Sequence, residues 1–184
     1  MPHIRVPPNH GLSDIIAGYF DTGYKGWAVD VGASDGTTVN STYGLETVRG
    51  WTVLNVEPNP EFRDWLTENR RLVEKCACAD FIGRVPPKGL AMYSDWKQIE
   101  VDVTTVEVLL AKHKFPKLDL LCVDTEGTEL DVLKGVDLEK WKPKVIVTEC
   151  WELEGPIDEY LATRGYQKIS RIQPETVNDL FYLP

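Results

Sequence analysis

Val29-Asp30-Val31-Gly32-Ala33-Ser34-Asp35-Gly36 carries an apolar strand straight into a glycine turn. Trp27–Val31 reads as the strand. Gly32 and Gly36 allow the tight bend and the close backbone approach that a bound nucleotide needs. On either side, apolar runs alternate with helical patterns along the whole chain, the mark of an α/β domain with a mostly parallel sheet. Upstream, Ser13–Phe20 reads as a helix capped by Ser13, with Ile15, Ile16, Tyr19 and Phe20 as its apolar stripe. Downstream, Trp51–Val56 is a second strand that ends in Glu57-Pro58-Asn59-Pro60. Asn59 suits the cap of the next helix and Pro60 its first position, while Phe62, Trp65 and Leu66 face the sheet. Leu72–Cys76 is a third strand. Gly83, Pro86, Pro87 and Gly89 make Asp80–Glu100 a loop with at most one short strand.

Thr105–His113 reads as a helix, Leu118–Val123 as a fourth strand, and Thr128–Lys134 as a helix stopped by Gly135. Lys144–Thr148 is a fifth strand. A helix at Pro156–Arg164 precedes two strands, Tyr166–Ile172 and Asp179–Leu183. The short turn at Pro174 between them makes them antiparallel. With no internal repeat or linker, residues 1–184 read as one domain.

Composition narrows the function classes. Hydrophobic residues are 42% and charged residues 27% of the chain, ordinary for a globular protein. No apolar run reaches the roughly 18 residues of a membrane span. Met1–Pro8 lacks the apolar core of a signal peptide, so a cytoplasmic location is expected. With 20 basic against 29 acidic residues the net charge is -9, the wrong sign for a general nucleic-acid binder. Cys76, Cys78, Cys122 and Cys150 lack zinc-site spacing and read as buried free thiols.

Ligands of open α/β sheets bind beyond the carboxyl ends of the strands. The polar residues of this chain collect there: Asp30 to Gly36, Glu57, Cys78 to Asp80, Asp124 with Glu126, and Glu149. The glycine turn lacks the Lys-Ser/Thr of a phosphate loop and the three-glycine dinucleotide pattern. Its Asp30 and Asp35 would repel a diphosphate and suit a ligand with a cationic amine and a sulfonium, such as S-adenosylmethionine (SAM). Glu57 stands 21 residues after Gly36, placed to accept from ribose hydroxyls. Turn and carboxylate alone leave a nicotinamide-dependent oxidoreductase as an alternative.

The chain resembles the FkbM family of SAM-dependent methyltransferases. The resemblance runs from about Asn9 to Leu183 and rests on Val29–Gly36, Asn40-Ser41-Thr42-Tyr43, Leu45-Glu46, Gly50-Trp51, Glu57–Pro60, Asn69-Arg70, Cys76–Cys78, Thr105–Leu110, Val123–Leu130, Leu133–Gly135, Val145–Glu149 and Gly165-Tyr166. Asp124-Thr125-Glu126-Gly127-Thr128-Glu129-Leu130 is its most specific segment.

The resemblance implies a Rossmann-like class I methyltransferase fold: a seven-stranded, mostly parallel sheet with a C-terminal antiparallel hairpin and helices on both faces. It implies SAM as donor and, as acceptor, a hydroxyl of a sugar, glycan or other small hydroxylated metabolite. It places Asp30, Gly32, Ser34 and Gly36 around the methionine half, with Asp35 in the same turn and Asn40 and Ser41 nearby. Glu57 would hold the ribose. Pro58, Asn59 and Ala77–Cys78 would lie toward the adenine, and Asp124 beside the amine and the reacting methyl. Two departures stand out: His10, in Asn9-His10-Gly11-Leu12-Ser13-Asp14, replaces a polar residue of relatives, and Asp80–Glu100 is short. Residues 1–12 are placed to cover the SAM site.

Transfer to a hydroxyl needs alignment, exclusion of water, and a base or a metal to raise the oxygen's nucleophilicity. Asp124 and Glu149 could hold Mg²⁺ through oxygen ligands. Glu126, Glu149 or His10 could instead act as general base, or positioning alone could suffice. Blander readings stand beside these. Glu126 could simply favour a helix N-terminus, Glu129 could lie on a solvated face or pair locally, and His113 reads as a surface residue. His3 sits in a tail. Trp27, Trp51 and Trp65 suit the core, whereas Trp96 and Trp151 suit stacking on an acceptor. A second subunit completing an open acceptor pocket, giving a homodimer, and a non-catalytic SAM-binding scaffold are the remaining expectations.

Overall fold

The structure is a computed structural model describing residues 10–38, 40–85, 100–150, 155–169 and 178–184. Its main sheet contains β1 (Trp27–Val31), β2 (Thr52–Val56), β3 (Leu72–Glu74), β7 (Leu120–Val123), β8 (Val145–Glu149), β9 (Gln167–Ile169) and β10 (Asn178–Tyr182). The spatial order is β3-β2-β1-β7-β8-β10-β9. The first five strands run parallel, and β10 pairs antiparallel with both β8 and β9. The expected seven-stranded sheet and closing hairpin are therefore present. The turn at Pro174 lies outside the described residues.

A second, three-stranded sheet joins β4 (Ala77–Cys78), β5 (Gly83–Val85) and β6 (Val101–Thr104), in the order β4-β6-β5. It corrects two readings. The third strand stops at Glu74 rather than Cys76, since the chain turns there and Ala77–Cys78 pairs with β6 instead. The region from Asp80 onward supplies β5 as the one short strand foreseen. Its partner β6, in which Val101 and Val103 are buried and Asp102 is exposed, was not foreseen.

The central strands are buried on both faces, as parallel strands covered by helices must be. On one face Val29, Val31, Leu121, Val123 and Ile146 pack with residues of α4 (Val106–Lys112), α5 (Glu129–Lys134) and α7 (Pro156–Ala162). On the other, Ala28, Leu120, Cys122 and Val147 pack against Leu12 and Ile16 of α1 (His10–Ala17) and Leu45 of α2 (Tyr43–Thr47). All four cysteines are buried, and none forms a disulfide. No helix among the described residues is long and apolar enough to cross a membrane.

The helix starts follow their side chains closely. Asn59 caps α3 (Pro60–Asn69), its side chain accepting from the Glu61 N–H at 2.8 Å, and Thr105 caps α4, accepting from Val108 N–H at 3.1 Å. Ser13 departs from its expected role. The first helix begins at His10, and the Ser13 hydroxyl donates to the Ser41 carbonyl at 2.8 Å and accepts from Gly44 N–H at 3.2 Å. A tertiary partner outcompetes the local cap. Trp51 is core, but Trp65 is 37% exposed. On helix α3 Leu66 is the buried residue, while Phe62 is half-buried, so the expected sheet-facing stripe is only partly covered. A short helix α6 (Leu138–Trp141), capped by Asp137, precedes β8.

Candidate active site

Strand order reverses between β1 and β7, which pair in register Asp30 with Cys122 and Val31 with Val123. At such a switch point the following loops diverge in opposite directions and leave a crevice. Both turns here are held to the sheet: Gly32 N–H donates to the Val56 carbonyl at 2.9 Å, and Asp124 N–H to that of Val31 at 2.9 Å. Ser34 (φ 51°) and Glu126 (φ 59°), one in each turn, adopt the left-handed conformation that non-glycine residues seldom take. Such strain persists only where surrounding contacts enforce it, and it gathers at functional sites.

The enforcing contacts are carboxylates. Glu57, at the end of β2, accepts from Ser34 N–H through Oε2 at 2.9 Å and from Asn59 N–H through Oε1 at 2.7 Å. It thereby ties the β1 and β2 turns together across the region expected to hold the ribose. Burial raises its pKa, opposed by those two N–H bonds and by Arg63. Asp35 accepts from the N–H groups of Thr37 and Thr38 at 2.8 and 2.7 Å and from both hydroxyls. Burial opposes ionisation there, but these bonds prevail and lower its pKa.

Glu129 does the same for the second turn. Its Oε1 accepts from Thr125 N–H at 2.9 Å, Thr125 Oγ1 at 3.1 Å and Gly127 N–H at 2.9 Å. It pairs locally, as one of the two plain readings had it, but it is buried rather than solvated.

Asp124, Glu126 and Glu149 converge. One carboxylate oxygen from each lies within 4.8 Å of the others. Asp124 is exposed at the carboxyl end of β7, with protein packed around one side of it. Burial, then the charges of Glu149, Glu126, Asp30 and Glu129, push it up to about 8. Burial and Glu129 also raise Glu126. Neither Asp124 nor Glu126 forms an ion pair among the described residues.

Asp30 lies beneath the glycine turn rather than in the crevice. It is 4% exposed, and its Oδ2 accepts from Asn40 and from Thr42. Burial raises its pKa, with Arg70 pulling the other way. The Ser41 carbonyl is taken by Ser13. Pro58 and Asn59 follow Glu57, with Asn59 buried. Ala77 and Cys78 lie in the second sheet. Cys78 is buried, which pushes its thiol well up.

His10 starts α1. His3, Trp96 and Trp151 lie outside the described residues. His113 is not a free surface residue: its Nε2 lies 2.5 Å from Glu74 Oε1, at 21% side-chain exposure. Sequence reasoning gave no role to Arg70, Glu46 or Thr42, which are buried together behind the turn. The available signal was charge beside apolar neighbours: Glu46 follows Leu45, and Arg70-Arg71 directly precede strand β3.

Residues 93–168 match the family model of the methyltransferase FkbM domain. Over this stretch the chain is similar to FkbM methyltransferases. The FkbM match spans the second half of the crevice, including Asp124, Glu126 and Glu149, and not the glycine turn. A curated relative, methyltransferase sdnD of Sordaria araneosa, is 44% identical over 69 residues, which are 35% of this chain and 26% of the relative. The crystal structure of methyltransferase FkbM from Methylobacillus flagellatus KT superposes with a TM-score of 0.64 at 20% identity, covering 91% of this chain and 47% of the crystallised one. Precorrin-6y C5,15-methyltransferase from Geobacter metallireducens GS-15 gives 0.52 at 11% identity, covering 93% and 87%. The chain thus spans about a quarter of the curated relative and half of the crystallised FkbM protein. These superpositions bear out the class I methyltransferase fold.

Proposed function

We propose that this chain is a SAM-dependent O-methyltransferase acting on a hydroxyl of a sugar, glycan or other small hydroxylated metabolite. One observation carries the reading: three converging carboxylates, Asp124, Glu126 and Glu149, stand beside a glycine turn that offers bare backbone. Two of them form no ion pair among the described residues, so the crevice is anionic and suits a cationic ligand. A diphosphate would meet the opposite field, which disfavours the nicotinamide alternative.

When bound, SAM supplies a methyl carbon made electrophilic by its sulfonium. The chain's residues then have three tasks. The Gly32–Gly36 turn, held by Glu57, orients the methionine half and the ribose. The turn after β7, braced by Glu129, sets Asp124 against the amine. Glu126 or Glu149 would receive the acceptor's hydroxyl proton on a carboxylate oxygen, leaving the acceptor oxygen as the nucleophile toward that methyl carbon. Burial and Glu129 raise the Glu126 pKa, which suits that proton transfer.

A second reading keeps the same residues in a different role. Oxygens of Asp124 and Glu149, joined by Glu126 within 4.8 Å, form a donor set that Mg²⁺ accepts. The ion would then lower the acceptor's pKa.

The deciding experiment incubates the protein with SAM and a panel of sugars and glycosides and measures S-adenosylhomocysteine release. Thermal shift with SAM, S-adenosylhomocysteine and NAD runs beside it. Turnover with at least one hydroxyl acceptor supports the proposal. Stabilisation by NAD alone overturns it, and SAM binding without turnover on any acceptor favours a scaffold.

A further inference from the structure

We infer that Arg70 is the positioning residue for the methionine end of the cofactor, an inference that rests on the reading of the Gly32–Gly36 turn as the SAM site. The Arg70 side chain is 0% exposed, so it meets no ligand itself. It acts through its contacts. Nε donates to Glu46 Oε2 at 2.5 Å. Nη1 donates to the Gly36 carbonyl at 3.1 Å and to Asn40 Oδ1 at 2.9 Å. Nη2 donates to Thr42 Oγ1 at 2.7 Å.

Those partners complete the hold on the turn. The Asn40 amide donates to the Ala33 carbonyl at 3.2 Å and to Asp30 Oδ2 at 3.0 Å, and the Thr42 hydroxyl donates to Asp30 Oδ2 at 2.6 Å. One guanidinium therefore fixes the turn twice: at Gly36 directly and at Ala33 by way of Asn40. Packing adds a third constraint, because a Cβ on Gly36 would lie 2.7 Å from Arg70 Cγ and 2.6 Å from Leu66 Cδ1.

The planar fork is essential to this geometry. It serves four acceptors at fixed angles, whereas a lysine ammonium is a single point charge on a flexible stem. Charge is balanced locally: Glu46 also accepts from Arg71 Nε at 2.9 Å, so Arg70 and Arg71 face the carboxylates Glu46 and Asp30. Elements distant in sequence, α2, α3 and β1, meet on this one side chain. The turn's shape is thus set from behind, away from the crevice.

The test compares ligands with and without an aminocarboxyl end. Calorimetric titration of the full chain measures SAM, S-adenosylhomocysteine and 5′-methylthioadenosine, which keeps the nucleoside and sulfur but lacks that end. Arg70→Lys should lose about tenfold or more in affinity for the first two, the scale of one lost charge-assisted hydrogen bond, and keep its affinity for the third. Thr42→Val, which removes the hydroxyl that links Arg70 to Asp30 and leaves the Arg70–Glu46 charge pair, should shift the same ratio less; it decides alone where Arg70→Lys does not fold. Equal losses for all three ligands, or no loss, make Arg70 an ordinary core ion pair and overturn the inference. A wild-type chain that binds none of them defeats the cofactor reading itself.

Discussion

The backbone of Gly32 lies directly against that of Asp124: a Cβ on Gly32 would stand 1.7 Å from the Asp124 carbonyl oxygen. Gly32 also sits at φ +84°, so two independent reasons exclude a side chain there. This contact is what brings the glycine turn and the acidic cluster to one crevice.

Gly32→Ala should therefore cost about 2–5 kcal/mol, adding left-handed strain to an overpacked contact with immovable backbone. Denaturant unfolding measures it. A change inside about 0.5 kcal/mol, the range of an inert surface substitution, would mean the two turns are not so tightly apposed.

Glu57→Ala removes the acceptor of two N–H groups, those of Ser34 and Asn59. We expect SAM affinity to fall at least about tenfold, together with a stability loss of about 1–3 kcal/mol for the orphaned donors. Calorimetry and a denaturant melt separate the two effects. Unchanged SAM affinity in a folded variant would remove Glu57 from the cofactor site.

The parallel core was legible in the sequence because Trp27–Val31, Trp51–Val56 and Lys144–Thr148 are short apolar runs bounded by turn residues, and Asn59-Pro60 and Thr105 announce helices through local chemistry alone. What stayed hidden depends on partners distant in the chain. Ser13 looks like a cap until Ser41 and Gly44 are near it, and Glu129 looks solvated until the Thr125–Gly127 turn folds over its carboxylate. Arg70 shows only as half of a basic pair until Glu46, Gly36, Asn40 and Thr42 gather around its guanidinium. The site was half visible for the same reason. The carboxylates at strand ends follow from strand positions, whereas the buried network that shapes the turn follows only from tertiary packing.

Acid sensitivity should trace partly to Glu46. Burial opposes its ionisation, but Arg70 and Arg71 outweigh burial and hold its pKa below 4.5. A lowered folded pKa means the unfolded chain binds the proton more readily. The contribution is therefore complete above the unfolded value and is lost as pH falls through 4.5 toward the folded value. Glu46→Gln should cost about 3 kcal/mol at neutral pH, the scale of breaking a buried pair, and should flatten the decline of stability between about pH 5 and 3. Denaturation midpoints across that range test this; an acid limb as steep as wild type would place its origin elsewhere.

The acidic cluster should show stability and activity pulling apart. Burial and the charges of Glu149, Glu126, Asp30 and Glu129 push Asp124 up to about 8, so at neutral pH the folded chain holds a proton there that the unfolded chain releases; Asp124→Asn removes that cost and should raise the melting temperature of the ligand-free protein. The same change should abolish most turnover. Glu149→Gln should lower kcat about a hundredfold or more, the scale of a lost general base, with SAM affinity preserved. EDTA separates the two ways the cluster could act. Activity that survives chelation leaves Glu126 or Glu149 as a base working without metal. Activity lost with EDTA and restored by Mg²⁺ moves Asp124 and Glu149 to metal binding. A Glu149→Gln variant turning over at the wild-type rate, with or without EDTA, would exclude Glu149 from both roles and leave Glu126 as the remaining carboxylate able to take the proton.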